Sequence, residues 1–114
     1  MTSTPSPHLL VACLCADWCG ACREYKPLFD SLAHKFPNVR FLWVDVEDEA
    51  DLIDPIEVEN FPTILIAKGN DPLFFGTVLP HIETVERLIR DKMADQSRTV
   101  KEAAVVKLAA SLQS

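Results

Sequence analysis

Residues 9–22 read Leu-Leu-Val-Ala-Cys-Leu-Cys-Ala-Asp-Trp-Cys-Gly-Ala-Cys, an apolar run followed by a cysteine motif. Its first half, Leu9 to Cys15, is a short continuous apolar run, which is typical of a strand buried on both faces of a central sheet. From Cys19 or Gly20 to about Phe36, apolar residues recur every three or four positions, as on the buried side of a helix. The stretch therefore predicts a strand that leads directly into a helix, with all four cysteines at or near the junction.

The Cys19-Gly20-Ala21-Cys22 motif lies where the predicted helix begins. Unpaired backbone N–H groups and the positive end of the helix dipole favour the thiolate form of Cys19, which is the nucleophilic form of cysteine. Cys22 returns to the same side one turn later, can reach Cys19 to close a disulfide, and should be the more buried of the two. Gly20 and Ala21 allow this turn without steric cost. The motif predicts a redox-active dithiol.

Other interpretations of the four cysteines are half of a zinc site or a pair of inert structural cysteines. A zinc site needs about four ligands. The sequence has no second Cys-x-x-Cys motif, and His8, His34 and His81 form no His-x(3–5)-His pair. Cys13 and Cys15 could complete a four-thiolate set on paper, but in a strand both would point to one face in a direction fixed by the sheet. We therefore expect no metal and no organic cofactor.

The rest of the chain alternates strands and helices. Strands are expected at 39–46, 63–67 and 73–78, a turn at 68–72, a short helix within 47–57, and helices at about 81–93 and 97–112. This order predicts an α/β fold in which helices flank a mixed four-stranded sheet, with an extra C-terminal helix. The expected organisation is a flexible leader at 1–7, a domain at 8–94 and a helical extension at 95–114 packed on that domain.

Composition and charge exclude several classes of partner and of location. A chain of 114 residues makes one domain, and a net charge of −6 argues against nucleic acid or an anionic membrane surface as the main partner. The apolar runs are too short for a membrane-spanning helix. The cysteines are clustered rather than spread along the chain as in a secreted disulfide scaffold, and residues 1–7 carry no Lys or Arg. A reducing, cytoplasmic location is the expectation.

Several separate features resemble the thioredoxin family over about residues 8–93. They are Ala16-Asp17-Trp18-Cys19-Gly20-Ala21-Cys22-Arg23, the helix-kinking Pro27, the Asn60-Phe61-Pro62-Thr63 segment, and Gly76 in the fourth strand. The resemblance implies a thioredoxin-like fold and thiol–disulfide exchange. It also implies a cis Phe61-Pro62 peptide bond beside the cysteine pair. The implied substrate surface consists of Trp18, Phe61, Pro62 and Gly76, together with Gly20 and Ala21.

Three positions depart from the family pattern. The residue after Gly20 is alanine rather than the usual proline. The buried aspartate six residues before the nucleophile, which accepts a proton in the family, is Cys13 here, and its accompanying lysine is replaced by Trp43. Cys13 is either an inert buried residue or a third thiol within reach of Cys22.

The residues that flank the Cys19–Cys22 motif have less specific predicted roles. Cys15 is interpreted as a core-packing residue. Asp17 and Arg23 are possible modulators of the thiol pair, although Arg23 is also explained as a solvated helix residue.

The two ends of the chain also differ from the family. Thioredoxins begin with an extra strand and helix, for which the eight residues before the first predicted strand leave no room. At the other end, apolar residues recur at helical spacing from Val100 to Leu112. We expect this C-terminal helix to cover the sheet face left bare, or to form a dimer contact.

The resemblance implies a protein-disulfide reductase. The Cys19 thiolate would attack a substrate disulfide, and Cys22 would then release the reduced substrate and leave a Cys19–Cys22 disulfide. Its partners would be proteins with disulfides and a dithiol- or NADPH-linked reductase. Two alternatives are a thioredoxin-fold interaction module and a periplasmic disulfide isomerase or oxidase; the latter needs an export signal that the sequence does not show.

Overall fold

The computed structural model describes residues 9–16, 20–46, 62–68, 71–78, 82–94 and 99–113. Its elements, in chain order, are β1 (Leu9–Cys15), α1 (Gly20–Lys35), β2 (Arg40–Asp45), β3 (Thr63–Lys68), β4 (Asp71–Thr77), α2 (Ile82–Ala94) and α3 (Ala103–Gln113). The expected leader at 1–7 and the short helix within 47–57 lie outside the described residues.

The four strands form one mixed sheet in the order β2-β1-β3-β4. β1 and β2 are parallel and joined through α1, whereas β3 runs antiparallel to both β1 and β4. The predicted α/β architecture with a mixed four-stranded sheet is confirmed. β1 is flanked by a strand on each side, and all seven of its residues are buried, as its continuous apolar composition predicts.

Side chains of β1 alternate between two separate cores. Leu9, Val11, Cys13 and Cys15 share a core with residues of α1 and α2, and we call this side the thiol face. Leu10, Ala12 and Leu14 pack on the opposite side, the aliphatic face, with four residues of α3: Val105, Leu108, Ala109 and Leu112. The period of two in a strand therefore sends the cysteines of β1 to one face only.

The C-terminal helix begins later than predicted, at Ala103 rather than near Ser97. The backbone N–H of Val100 donates to the Pro72 carbonyl of β4 (2.8 Å), which ties this segment to the sheet. The helix starts only where the N–H groups of Val105 and Val106 reach the Glu102 carbonyl, both at 3.0 Å.

The hairpin between β3 and β4 is tighter than predicted. Lys68 and Asp71 are paired, so β4 begins at Asp71 instead of Leu73 and only two residues connect the strands. A register shift between Ile66 and Ala67 absorbs the difference. Pro72 is tolerated in β4 because this strand lies at the edge of the sheet.

Candidate functional site

The end of β1 and the first turn of α1 bring two cysteines into covalent contact. Cys15 is the last residue of β1, Cys22 is the third residue of α1, and their sulfurs form a disulfide. Their Cα atoms are 5.7 Å apart, a common separation for this bond. Each cysteine is only 1% exposed, so the bond is shielded from solvent.

Cys13 adds a third sulfur to the same cluster. It lies two residues before Cys15 on the thiol face, and the two Sγ atoms are 3.8 Å apart. Cys13 is a free thiol with no solvent exposure. Burial raises the pKa of Cys13 to about 12, an effect that the positive charge of Lys26 only partly offsets. Cys13 is therefore protonated, and a poor nucleophile, near neutral pH.

The surroundings of Cys13 are apolar and aromatic. Its neighbours in the sheet are Trp43 on β2 and Ile64 on β3, and the Lys26 ammonium lies 4.9 Å from the centre of the Trp43 ring. The Tyr25 hydroxyl is buried without a hydrogen-bond partner among the described residues. Burial, and to a lesser extent Cys13, raises the pKa of Tyr25. The sulfur cluster therefore lies in an environment that disfavours charge.

The first turn of α1 carries four of the predicted site residues. Cys22 is buried, Ala21 is half-buried, and Gly20 and Arg23 are exposed. A Cβ atom added at Gly20 would meet nothing within 4 Å, so the turn does not need glycine for space. Asp17, Trp18 and Cys19 lie outside the described residues, and their predicted roles stay predictions.

The start of β3 and the end of β4 lie beside the sulfur cluster. Thr63 pairs with Leu14, the residue before Cys15, and Pro62 directly precedes Thr63 in the chain. Pro62 is buried, and its carbonyl accepts the backbone N–H of Val78 (3.1 Å). Gly76 pairs with Ile64, which is the β3 neighbour of Cys13. Phe61 lies outside the described residues, so its predicted cis bond to Pro62 is untested.

The interpretation of Cys15 as a packing residue is incomplete. Cys15 is buried in the core, but its sulfur is bonded to Cys22, which was expected to pair with Cys19. The sequence contained a signal for this pairing, since the last residue of a strand and the first turn of the following helix are close in space. The even spacing of Cys13 and Cys15 also placed both sulfurs on the face that α1 covers.

Among the described residues, no group of three or more His, Cys, Asp or Glu side chains is arranged to hold a metal ion. None of the helices in these same ranges is both long and apolar enough to cross a membrane.

Comparisons with curated proteins show which sequences resemble this chain. Over 84 residues it is 45% identical to a thioredoxin of Sus scrofa, a match that covers 71% of this chain and 80% of the relative. It is 36% identical over 69 residues to a thioredoxin of Ophiophagus hannah, covering 60% of this chain and 66% of the relative. The match to an H-type thioredoxin of Fagopyrum esculentum, at 43% identity, covers 55% of this chain and 54% of that protein. The chain thus spans between about half and four fifths of these relatives.

Solved structures and a family model agree with these sequence matches. Thioredoxin from Trypanosoma brucei brucei superposes with a TM-score of 0.70 at 27% identity, covering 79% of each chain. Oxidized mitochondrial thioredoxin 3 from Saccharomyces cerevisiae gives 0.67 at 28% identity, covering 75% of this chain and 79% of that one. The thioredoxin family model matches residues 3–83, which include the cysteine cluster, Pro62 and Gly76. The chain belongs to the thioredoxin family.

Proposed function

We propose that this chain is a thiol–disulfide oxidoreductase that reduces disulfides in other proteins through Cys19 and Cys22. The observation that carries the proposal is the state of Cys22: this buried sulfur, in the first turn of α1, is disulfide-bonded. A thiol at this position can therefore reach a second sulfur and form a bond with it. This is the step that a resolving cysteine must perform.

The reaction consists of two exchanges. The Cys19 thiolate attacks one sulfur of a substrate disulfide, forms a mixed disulfide and releases the other substrate sulfur as a thiolate. Cys22 then attacks Cys19 Sγ, which releases the second substrate sulfur and leaves the Cys19–Cys22 disulfide. The substrate gains two electrons and the cysteine pair loses two. A dithiol- or NADPH-linked reductase would return these electrons to the pair.

The proton that leaves Cys22 does not pass to the residue that replaces the family aspartate. That position is Cys13, whose thiol is protonated because burial holds its pKa at about 12. The neighbouring position, a lysine in the family, is Trp43. Deprotonation of Cys22 in this chain therefore depends on another acceptor, and the departing substrate thiolate can serve as one.

Substrate binding is proposed for the surface that surrounds Cys19. Gly20, Ala21, Pro62 and Gly76 belong to elements that meet at the same end of the sheet. Trp18 and Phe61 adjoin these residues in the chain. An extended substrate segment would pair with the backbone before Pro62. We propose the cytoplasm as the location, because an acidic chain with thiols that must be reduced for activity suits a reducing compartment.

Reduction of insulin disulfides by dithiothreitol tests this function. The wild-type protein should accelerate the reaction, and Cys19→Ser should reduce the rate to that of dithiothreitol alone. Pre-reduced Cys22→Ser, incubated with insulin in the absence of dithiothreitol, should accumulate a covalent mixed disulfide, because the resolving thiol is missing and no external thiol cleaves the bond. Leu28→Ala is a suitable control, since Leu28 is an exposed residue of the same helix.

The same variants separate an enzyme from an interaction module. A module would hold its partners without a covalent bond, so Cys22→Ser would yield only complexes that dissociate in denaturant without reductant. Wild-type protein that leaves the rate of insulin reduction unchanged would contradict the proposed function. The disulfide at Cys22 favours the enzyme, because an interaction module does not require a bonded sulfur at this position.

A further inference from the structure

We propose that Cys15 is a third redox-active cysteine. It displaces Cys19 from the Cys19–Cys22 disulfide, so that a Cys15–Cys22 disulfide forms in the protein core. This inference rests on the proposed function, because the Cys19–Cys22 disulfide is the product of substrate reduction. It adds a second oxidised state of the enzyme in which Cys19 is a free thiol again.

The geometry supports this role in two ways. Cys15 and Cys22 are bonded in the structure, and their Cα atoms are 5.7 Å apart, so the end of β1 and the first turn of α1 lie within disulfide distance of each other. Both residues also belong to the same buried cluster as Tyr25 and Phe29 of α1. The helix that carries Cys22 is thus held against the strand that carries Cys15.

The exchange requires no external oxidant. The Cys15 thiolate attacks Cys22 Sγ, the Cys19–Cys22 bond breaks, and Cys19 leaves as a thiolate while the Cys15–Cys22 bond forms. One disulfide replaces another, so no electrons are gained or lost overall. The proton that Cys15 loses is balanced by the proton that the Cys19 thiolate takes up. Because Cys15 is buried, where charge is disfavoured, we expect this exchange to be slower than substrate turnover.

Cys13 is the competing candidate, since its Sγ lies only 3.8 Å from that of Cys15. It is a free thiol, however, whereas the sulfur of Cys15 is bonded to Cys22, so Cys15 is the residue positioned for the exchange. Cys13 therefore serves as a matched control: a third cysteine on the same strand and face that does not take part in the exchange.

The exchange changes what the enzyme can do. With Cys22 bound to Cys15, Cys19 can still attack a disulfide but has no partner to resolve the product, so the substrate stays attached. The buried bond, at 1% exposure of each cysteine, is out of reach of external thiols. It is reopened by the reverse reaction, in which the Cys19 thiolate attacks Cys22 Sγ. Prolonged oxidation would thus convert a reductase that uses two active-site thiols into a protein in which Cys19 is the active-site thiol that remains.

Peptide mapping of the whole protein distinguishes the two disulfides. The reduced protein is oxidised with glutathione disulfide, the excess oxidant is removed, and samples taken over time are quenched in acid, alkylated and digested with endoproteinase Asp-N. Asp-N cuts before Asp17, which separates Cys13 and Cys15 from Cys19 and Cys22. A Cys19–Cys22 bond stays within the peptide 17–29, whereas a Cys15–Cys22 bond joins it to the peptide 1–16.

We expect the joined peptides to accumulate while the internal disulfide of 17–29 declines, with fragment ions that place the link on Cys22. The joined form should be lost in Cys15→Ala and retained in Cys13→Ala. The inference is overturned if the wild-type protein shows only the internal disulfide at all times. It is also overturned if the joined form persists in Cys15→Ala and is lost in Cys13→Ala, or if fragment ions place the link on Cys19.

Insulin reduction by the same preparations keeps the two proposals apart. Cys15→Ala should reduce insulin at the initial rate of the wild-type protein, because the exchange is not part of turnover. An inactive wild-type protein that forms the joined peptides contradicts the proposed function alone. An active protein that never forms them contradicts only the role of Cys15.

Discussion

The thiol face and the aliphatic face of the sheet share one strand but differ in composition. On the thiol face, β1 contributes Cys13 and Cys15 to a core that also contains Cys22, Tyr25 and several aromatic rings. On the aliphatic face, the same strand contributes Leu10, Ala12 and Leu14, which pack against apolar residues of α3. One face therefore contains ionisable and reactive groups, whereas on the other the residues that β1 and α3 bring together are aliphatic.

This difference shows how a small domain keeps reactive groups in its core. Buried thiols and an unpaired hydroxyl contribute less to stability than hydrocarbon of equal volume, since polar groups lose hydration without full compensation. A second core without such groups offsets this cost. Because the side chains of a strand alternate, a substitution on one face of β1 leaves the packing of the other largely intact. The two faces can then be tested separately.

The largest effect is expected from Leu108→Ala on the aliphatic face. Leu108 is 1% exposed and packs in the core between α3 and the sheet. Removing its buried methyl groups leaves a cavity, so the free energy of unfolding should fall by about 2–5 kcal/mol. Urea denaturation followed by circular dichroism measures this change.

The control for Leu108 is an apolar residue of the same helix that faces solvent. Val106→Ala, at a side chain 38% exposed, should change the unfolding free energy by no more than about 0.5 kcal/mol. The comparison of faces fails if the two variants lose similar stability. It also fails if Leu108→Ala prevents formation of the Cys15–Cys22 disulfide under conditions where the variant is folded.

A smaller effect of opposite sign is expected from Tyr25→Phe on the thiol face. The Tyr25 hydroxyl is buried and has no hydrogen-bond partner in the described part of the chain. Removing it relieves a desolvation cost while the ring contact with Phe29 is kept, so stability should rise by about 1 kcal/mol. The same urea titration measures it, and a loss of stability would show that the hydroxyl has a favourable partner.

The smallest effect concerns the pH dependence of stability due to Cys13. Its pKa is raised from 9.0 to about 12 in the folded protein, so above about pH 9 the unfolded chain loses this proton while the folded protein keeps it. Stability should therefore fall as the pH rises, by less than about 1 kcal/mol between about pH 8 and about pH 9.5. This part of the slope should be absent in Cys13→Ala. Equal slopes for the two proteins would mean that Cys13 titrates normally.

Much of the fold could be predicted from the sequence because its strongest patterns are local. The apolar run from Leu9 to Cys15 marks a strand buried on both sides, and the helical spacing after Gly20 marks α1. The late start of α3 could not be predicted, because it depends on a hydrogen bond between Val100 and Pro72, which are far apart in the chain. The early start of β4 depends in the same way on its register with β3.

The candidate site could be predicted from the sequence only in part, again because a local pattern does not contain the contacts between separate elements. The position of Cys22 in the first turn of α1 follows from helix periodicity and from the resemblance to thioredoxins. Its bond to Cys15 depends on the distance between a strand end and a helix start. A motif defined by spacing within one helix does not contain that distance, so the sequence alone predicts only a packing role for Cys15.

The hydrogen bond between Val100 and Pro72 has a consequence for self-association. β4 lies at an edge of the sheet, where free backbone groups can pair with a strand of another molecule and start aggregation. At Pro72 the strand has no N–H to donate, and its carbonyl already accepts the N–H of Val100 at 2.8 Å. The beginning of β4 is therefore closed to an added strand. The segment that leads into the C-terminal helix thus also protects this edge of the sheet against edge-to-edge aggregation.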